Sequence, residues 1–283
     1  MEGMITKKIF GESGEIYYPT IKTLVTSINN TTYPFVSERS FIDTIKTDIS
    51  QGMQMYWIEI LLRAHMSASV SILRFERWMD GIIKSFANNN FFVFSASFKS
   101  LIESAADTYE TLRDVPYGLA KNSKMITKSI LGHQNTIVIS KELEDLLIGF
   151  LSKNEDVPDS IRSKSTIHYL NKLENGKSGA LIDFYSKLCG ITQPAASSIA
   201  FFFLPNYEKN CILMNGLDEE YIAAFVEGFK STISDIFQLS LQASFTTLKT
   251  LNLFPHEKLH TPIIDQIDLP EIDSWNNIMK YFN

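Results

Sequence analysis

Hydrophobic positions recur with the 3.6-residue period of an α-helix along nearly the whole chain. The spacing predicts helices over residues 37–50, 53–87, 91–113, 117–131, 141–153, 163–174, 180–189, 194–203 and 219–251. Short breaks separate them, the first at Gln51-Gly52, and only residues 211–214 are typical of a strand, in a short hairpin at most. Long helices joined by short loops predict an all-α fold, an antiparallel helical bundle.

The C-terminal residues 255–283 have a different pattern. Prolines interrupt it, and acidic residues alternate with apolar ones. The pattern predicts an extended acidic tail, with a short helix over 275–282, whose apolar side chains dock while its carboxylates face water or a basic partner. We therefore predict a helical bundle domain over 1–254 that folds without the tail, and a docking tail over 255–283. A two-domain alternative would place a boundary near 154–158.

The composition fits a globular protein. Of 283 residues, 45% are hydrophobic and 20% are charged, which is enough apolar surface for a sizeable core. The net charge of −6 and a pI near 5.5 disfavour nonspecific binding of nucleic acid, which needs an excess of Lys and Arg. We expect Cys189 and Cys211 to be reduced, buried thiols in a reducing cytosol.

No segment of the sequence is typical of a membrane or secretory element. Lys7 and Lys8 are not followed by an apolar stretch, so no signal peptide is expected. The longest uncharged run covers 188–207, but its strongly apolar part, 199–204, is far shorter than the roughly 20 residues of a membrane helix. We expect this run to be buried in the core of a cytoplasmic protein that has no membrane partner.

Carboxylates on the predicted helix 91–113 are the first candidates for chemistry. Glu103 and Asp107 are one turn apart and lie opposite an apolar stripe that includes Phe94 and Phe98. Two carboxylates in this spacing can share a metal or exchange protons, but they also fit a solvated face with a surface ion pair, which is the interpretation we favour. No metal-binding or cofactor-binding motif accompanies them, so we predict neither.

Two arginines on the preceding helix are the predicted partners of these carboxylates. The connection at 88–90 is short, so the two helices should pack side by side. Arg74 and Arg77 can then come level with Glu103 and Asp107. We predict a structural ion pair between these two sets rather than a phosphate site.

A second candidate pair is Arg162 and His168. The pair matches the spacing of HEPN ribonucleases, in which a histidine closely follows an arginine. Cleavage of RNA by its 2′-OH needs an acid or base that works near neutral pH, which histidine provides. It also needs a fixed cation for the charge of the phosphorane, which arginine provides.

Three segments extend this resemblance to bacterial abortive-infection, HEPN-like helical domains. They are residues 74–78 (RFERW), 94–104 (FSASFKSLIES) and 185–194 (YSKLCGITQP). Gln193 stands where the related domains usually have a histidine, and glutamine cannot act as a general acid or base. The resemblance implies a helical fold and a role in bacterial stress or antiviral defence.

These patterns lead to three functional hypotheses. We expect a helical protein of a bacterial defence or toxin–antitoxin-type system that acts mainly by binding a partner protein or a second copy of itself. The alternative is a metal-independent, HEPN-like ribonuclease that uses Arg162 and His168 on RNA. A bundle that binds a small ligand is the third, suggested by 20 Phe and 11 Tyr residues that are more simply explained as core.

Overall fold

The computed structural model describes residues 2–151, 165–174, 179–194, 196–205, 211–214, 216–267 and 273–282. Over these residues the chain is predominantly α-helical, which confirms the predicted all-α class. The chain divides into two compact units, each discontinuous in sequence. Unit 1 comprises Met1–Lys22, Arg74–Asp107 and Ser165–Ser240, and unit 2 comprises Thr23–Leu73, Thr108–Lys164 and Leu241–Asn283.

The N-terminal half of the chain contains helices of very different length. They are α1 (Glu2–Ile28), α2 (Glu38–Thr47), α3 (Ile49–Ala87), α4 (Phe91–Leu112), α5 (Val115–Lys121), α6 (Ser123–Ile130) and α7 (Lys141–Leu151). The two long helices α3 and α4 agree closely with the predicted ranges 53–87 and 91–113. The predicted helix 117–131 is instead two short helices, which meet at Asn122.

The C-terminal half contains shorter helices and one small sheet. The helices are α8 (Thr166–Glu174), α9 (Ala180–Thr192), α10 (Ala196–Ala200), α11 (Asp218–Gly228), α12 (Lys230–Leu251), α13 (Pro262–Asp265) and α14 (Asp273–Met279), with a 3-10 turn at Glu257–Leu259. Strands β1 (Phe203–Pro205) and β2 (Cys211–Leu213) pair antiparallel, with Phe203 opposite Leu213. The predicted hairpin near 211–214 is therefore present.

The predicted break at Gln51-Gly52 is wrong, because the chain breaks one turn earlier, at Asp48. Asp48 is extended (φ −145°, ψ 101°), and its carboxylate accepts a hydrogen bond of 3.0 Å from the Gln51 amide. Gly52 continues α3, and a Cβ atom placed there would lie 2.8 Å from the Cβ of Ile45. The glycine therefore allows α2 and α3 to approach closely rather than ending a helix.

The predicted helix 219–251 is also divided, at Phe229, between α11 and α12. The backbone of Phe229 leaves the helical region (φ −120°, ψ 19°). Its ring packs against Phe184 and Phe225, with centroids 4.6 Å and 5.1 Å away. The break at Phe229 therefore coincides with the packing of its ring in unit 1, and hydrophobic periodicity alone does not indicate it.

An aromatic cluster forms the core of unit 1. Phe98 of α4 is fully buried, and its ring lies 5.0 Å from Phe94, 5.7 Å from Phe184 and 5.6 Å from Phe10. Tilted and edge-to-face pairs of this kind contribute about 0.5–1.5 kcal/mol each beyond the burial of their area. Phe10 belongs to α1, a helix that the sequence analysis did not predict.

Unit 2 is built around the N-terminal part of α3, where Trp57 and Leu61 are fully buried. The C-terminal residues add to this unit, because Ile264 is fully buried and Ile278 is only 1% exposed. The burial of these side chains fits the predicted docking of the apolar groups of 255–283, and the apolar surface that it removes from water stabilises unit 2.

Candidate functional site

Of the two residues proposed for ribonuclease chemistry, Arg162 and His168, the structure describes only His168. Arg162 lies outside the described residues. His168 is exposed in the first turn of α8, where its ring faces Tyr169 with centroids 6.0 Å apart. Gln193, at the position where related domains usually have histidine, is exposed at the C-terminal end of α9. The ribonuclease pair therefore remains a sequence-based hypothesis.

Arg74 and Asp107 of the predicted ion-pair set are in contact within unit 1. The Nη1 atom of Arg74 donates a hydrogen bond of 2.9 Å to Oδ2 of Asp107. Asp107 is 6% exposed, so the expectation of a fully solvated face on this helix is wrong at this position. The reason is that α4 is covered on the side of Asp107 as well as along its apolar stripe, where Phe94 and Phe98 are buried.

Arg77 does not contact Glu103 or Asp107. Its side chain is largely exposed, and its Nη1 atom lies 3.8 Å from Oε2 of the neighbouring Glu76. Glu76 itself is buried, and its Oε1 lies 2.9 Å from the Lys22 ammonium. Burial lowers the pKa of Lys22, but its contacts with Glu76 and Tyr18 outweigh burial and leave this pKa above its ordinary value. The Lys22–Glu76 pair was missed because Lys22 lies on α1, which was not predicted.

Glu103 takes part in a separate contact with α9. The Tyr185 hydroxyl donates a hydrogen bond of 2.7 Å to Oε1 of Glu103, and the Lys99 ammonium lies 3.6 Å from the same oxygen. Burial and this hydrogen bond raise the pKa of Tyr185, so the phenol stays protonated and continues to donate. Among the described residues, no group of three or more His, Cys, Asp or Glu side chains is arranged to hold a metal ion.

A buried histidine in unit 2 forms a polar network that the sequence analysis did not single out. His65 of α3 lies 2.8 Å from the Tyr33 hydroxyl through Nδ1 and 3.2 Å from the Thr261 hydroxyl through Nε2. Burial lowers the pKa of His65 to about 4, so the imidazole is neutral near pH 7. A neutral ring bonded on both sides by hydroxyl groups serves to link α3 to the C-terminal residues.

An exposed apolar patch lies around the small sheet of unit 1. We call it the hairpin surface, and it consists of Ile199, Phe202, Phe203, Ile212 and Leu213. Leu213 is 73% exposed and Ile199 is 57% exposed. The expectation that the uncharged run 188–207 is buried is therefore wrong for the part that reaches this surface. Phe203 and Leu213 pair across the strands and share one face of the sheet, and exposed apolar groups on a shared face are typical of binding surfaces.

Local backbone contacts hold the hairpin surface in place. The Met214 amide donates to the Phe202 carbonyl at 2.8 Å, one residue beyond the paired strands. The Phe202 ring stacks on Phe92 of α4, with centroids 5.3 Å apart and planes within 12°. Next to Phe92, the Phe91 amide donates a hydrogen bond of 2.8 Å to Asp218 of α11. The surface thus contacts α4, which is in turn joined to α11 within unit 1.

The edge of this region is acidic. Asp218, Glu219 and Glu220 occupy the first turn of α11, and the last two are exposed. In the part of the chain that the structure describes, the sheet has only the strands β1 and β2, so each strand has one edge without a neighbouring strand. Such an edge can accept an additional extended segment through its main chain.

Comparisons with protein-family models, with curated proteins and with solved structures find no significant match to this chain. The resemblance to abortive-infection domains thus rests on the three sequence segments given above. Among the described residues, no helix is both long enough and apolar enough to cross a membrane.

Proposed function

We propose that this chain acts by binding another protein, and that the hairpin surface receives an extended apolar segment of that partner. The observation that carries the proposal is the exposure of Phe203 and Leu213, which pair across the two-stranded sheet and share one of its faces. Full burial of one such side chain is worth about 1.5–3 kcal/mol. A partner that covers several of them would gain a central apolar contact of the kind that dominates protein interfaces.

The charges beside the surface favour a partner segment that carries Lys or Arg next to its apolar residues. Glu219 and Glu220 are exposed on α11, and the whole chain has a net charge of −6. A second copy of the chain would bring like charges together, whereas a basic segment would be attracted and oriented by them. We therefore favour a different protein over self-association.

The resemblance to abortive-infection domains supplies the setting of this proposal. We therefore propose that the partner belongs to a bacterial antiviral-defence or toxin–antitoxin-type system in the cytoplasm, as the resemblance implies. An antiparallel bundle remains the proposed arrangement of the helices. The ribonuclease alternative rests only on the sequence spacing of Arg162 and His168, since Arg162 lies outside the described residues.

Site-specific photo-crosslinking in the cells that naturally make the protein tests the proposal. A photoreactive amino acid is placed at Leu213 in one strain and at Ile137 in another, because Ile137 is also exposed, at 59%, but belongs to unit 2. We expect a discrete adduct with one other protein from Leu213 and none from Ile137. A Glu219→Lys, Glu220→Lys double variant should weaken the adduct. Identical adducts from both positions, or adducts with the chain itself, would refute the proposal.

A further inference from the structure

Unit 2 contains a cavity of about 210 Å³ that plays no part in the proposed protein binding. It is lined by the C-terminal end of α4, by α5, by α12 and by Ile278 of α14. Its volume is about seven times the roughly 30 Å³ of one water molecule in the liquid, and an apolar cavity of about 150 Å³ can hold benzene. The cavity is therefore large enough for a ligand with a single ring.

The fully buried residues that line the cavity are apolar except for one, which carries a hydroxyl group. Ala243, Ile278 and Pro116 are buried there, beside Thr246, which is 2% exposed. The Thr246 hydroxyl oxygen has no hydrogen-bond partner among the described residues. A buried hydroxyl without a partner is costly, so a polar group on a bound ligand would be stabilised at this point.

The open side of the cavity carries two opposite charges. Arg113 and Asp114 are both exposed, and Nε of Arg113 donates a hydrogen bond of 3.3 Å to Oδ2 of Asp114. The Arg113 guanidinium also lies 5.8 Å from the centre of the Tyr109 ring. An adjacent cation and anion match a ligand that carries both an acidic and a basic group on neighbouring atoms.

Aromatic rings form the sides of the cavity. Tyr117 stands edge-on to Tyr281, with ring centroids 5.5 Å apart at 87°, and their hydroxyl groups are 2.8 Å apart. This contact fixes the orientation of the Tyr117 ring. Tyr109 and Tyr117 can therefore contact a flat ring that enters between the charged pair and the Thr246 hydroxyl.

We propose that the cavity binds a free amino acid whose ring side chain carries a hydroxyl group, the class represented by tyrosine. The ring occupies the apolar interior, and its hydroxyl pairs with Thr246. The carboxylate meets Arg113 and the ammonium meets Asp114 at the mouth. An uncharged ring such as a nucleobase would make no ionic contact with the two charged groups of the mouth.

Isothermal titration calorimetry on the full-length protein tests this with L-tyrosine, L-phenylalanine, tyramine and N-acetyl-tyrosine. Tyramine lacks the carboxylate, and N-acetyl-tyrosine lacks the ammonium. We expect L-tyrosine to bind about tenfold more tightly than each of the others, since each lacks one polar contact. No binding of L-tyrosine at its solubility limit, equal binding of all four compounds, or tighter binding of adenine or uracil would overturn the proposal.

Two variants assign the contacts. Thr246→Val should remove the preference for L-tyrosine over L-phenylalanine and leave the affinity for L-phenylalanine unchanged. The matched control is Thr247→Val, because Thr247 is buried in the same helix but bonds to the Ala243 carbonyl at 2.7 Å. Arg113→Met should reduce L-tyrosine binding to the level of tyramine and leave tyramine binding unchanged. If either variant weakens all ligands equally, the assigned contacts are wrong.

Discussion

Arg74 of α3 donates a hydrogen bond of 2.9 Å to Asp107 of α4, and Asp107 is buried while Arg74 keeps 35% of its side chain in solvent. A carboxylate in this position depends on its charged partner, because removal of the cation would take a charge-assisted hydrogen bond away from a buried group. The pair therefore acts as a structural contact within unit 1.

Replacement of Arg74 by methionine should lower the free energy of unfolding by about 1–3 kcal/mol, the cost of a buried polar group that loses its partner. The double variant Arg74→Met, Asp107→Leu should lose less than the sum of the two single variants. Urea unfolding followed by circular dichroism measures all four proteins. The matched control is Arg77→Met. It should lower the free energy of unfolding only slightly, because the Arg77 side chain is 76% exposed. Additive losses would show that the contact does not couple the two residues.

His65 should make the protein less stable in mild acid. Its pKa is about 4 in the folded chain and near 6.5 when unfolded, so the unfolded state binds the extra proton first as pH falls. Protonation of His65 alone should lower the free energy of unfolding by about 2 kcal/mol between pH 7 and pH 5. This loss should level off below pH 4. Urea unfolding at both pH values should show a smaller loss for His65→Gln than for the wild type. Equal losses would mean that His65 does not carry this pH dependence.

Removal of residues 255–283 should unfold or strongly destabilise unit 2, contrary to the expectation from the sequence. Leu259, Ile264, Ile267 and Ile278 are all at most 5% exposed. Such side chains contribute about 1.5–3 kcal/mol each, against a total stability of about 5–15 kcal/mol for a typical protein.

Point variants test the same contribution in the intact chain. Ile264→Ala should cost about 2–5 kcal/mol in urea unfolding, because it opens a cavity in the core. Ile263→Ala should cost less, since Ile263 is only half-buried. A truncated chain that unfolds at the same urea concentration as the full chain would restore the tail interpretation.

The proposal of a binding protein predicts that the purified chain does not cut RNA. Wild type and His168→Ala should leave total RNA equally intact on a denaturing gel. His168 is exposed, so the substitution should not affect folding. Cleavage by the wild type that is lost in the variant would instead support the HEPN-like ribonuclease that uses Arg162 and His168.

Most of the helical fold follows from hydrophobic periodicity, because α3 and α4 each bury a regular stripe. The helix α1 was missed because Gly11, Gly14 and Pro19 all lower helix propensity. Gly11 has a positive φ of 72°, which marks a kink inside this helix, and a Cβ atom at Gly14 would lie 2.6 Å from that of Phe10. Glycine therefore fits the kink at position 11 and the close contact at position 14. Hydrophobic periodicity indicates neither feature.

The candidate sites were harder to predict for a different reason. Hydrophobicity alone does not distinguish a buried segment from an exposed one, so Phe203, in the uncharged run 188–207, was expected to be core. The cavity near Thr246 combines residues from segments far apart in the sequence, such as Arg113 and Ile278. The contact between Arg74 and Asp107 could be predicted from the sequence because α3 and α4 are consecutive and their connection is short.

The proposed protein binding depends most on the hairpin surface, and the affinity of the crosslinked partner for Leu213→Asp tests it most directly. The purified partner is titrated against wild type, Leu213→Asp and Ile137→Asp by calorimetry. We predict that Leu213→Asp weakens binding at least tenfold, because it places a charge in a contact that must lose water. Ile137→Asp should bind the partner as tightly as the wild type does. Both variants should be as stable as the wild type, because both side chains are exposed. Equal affinity of Leu213→Asp and wild type would contradict the proposal.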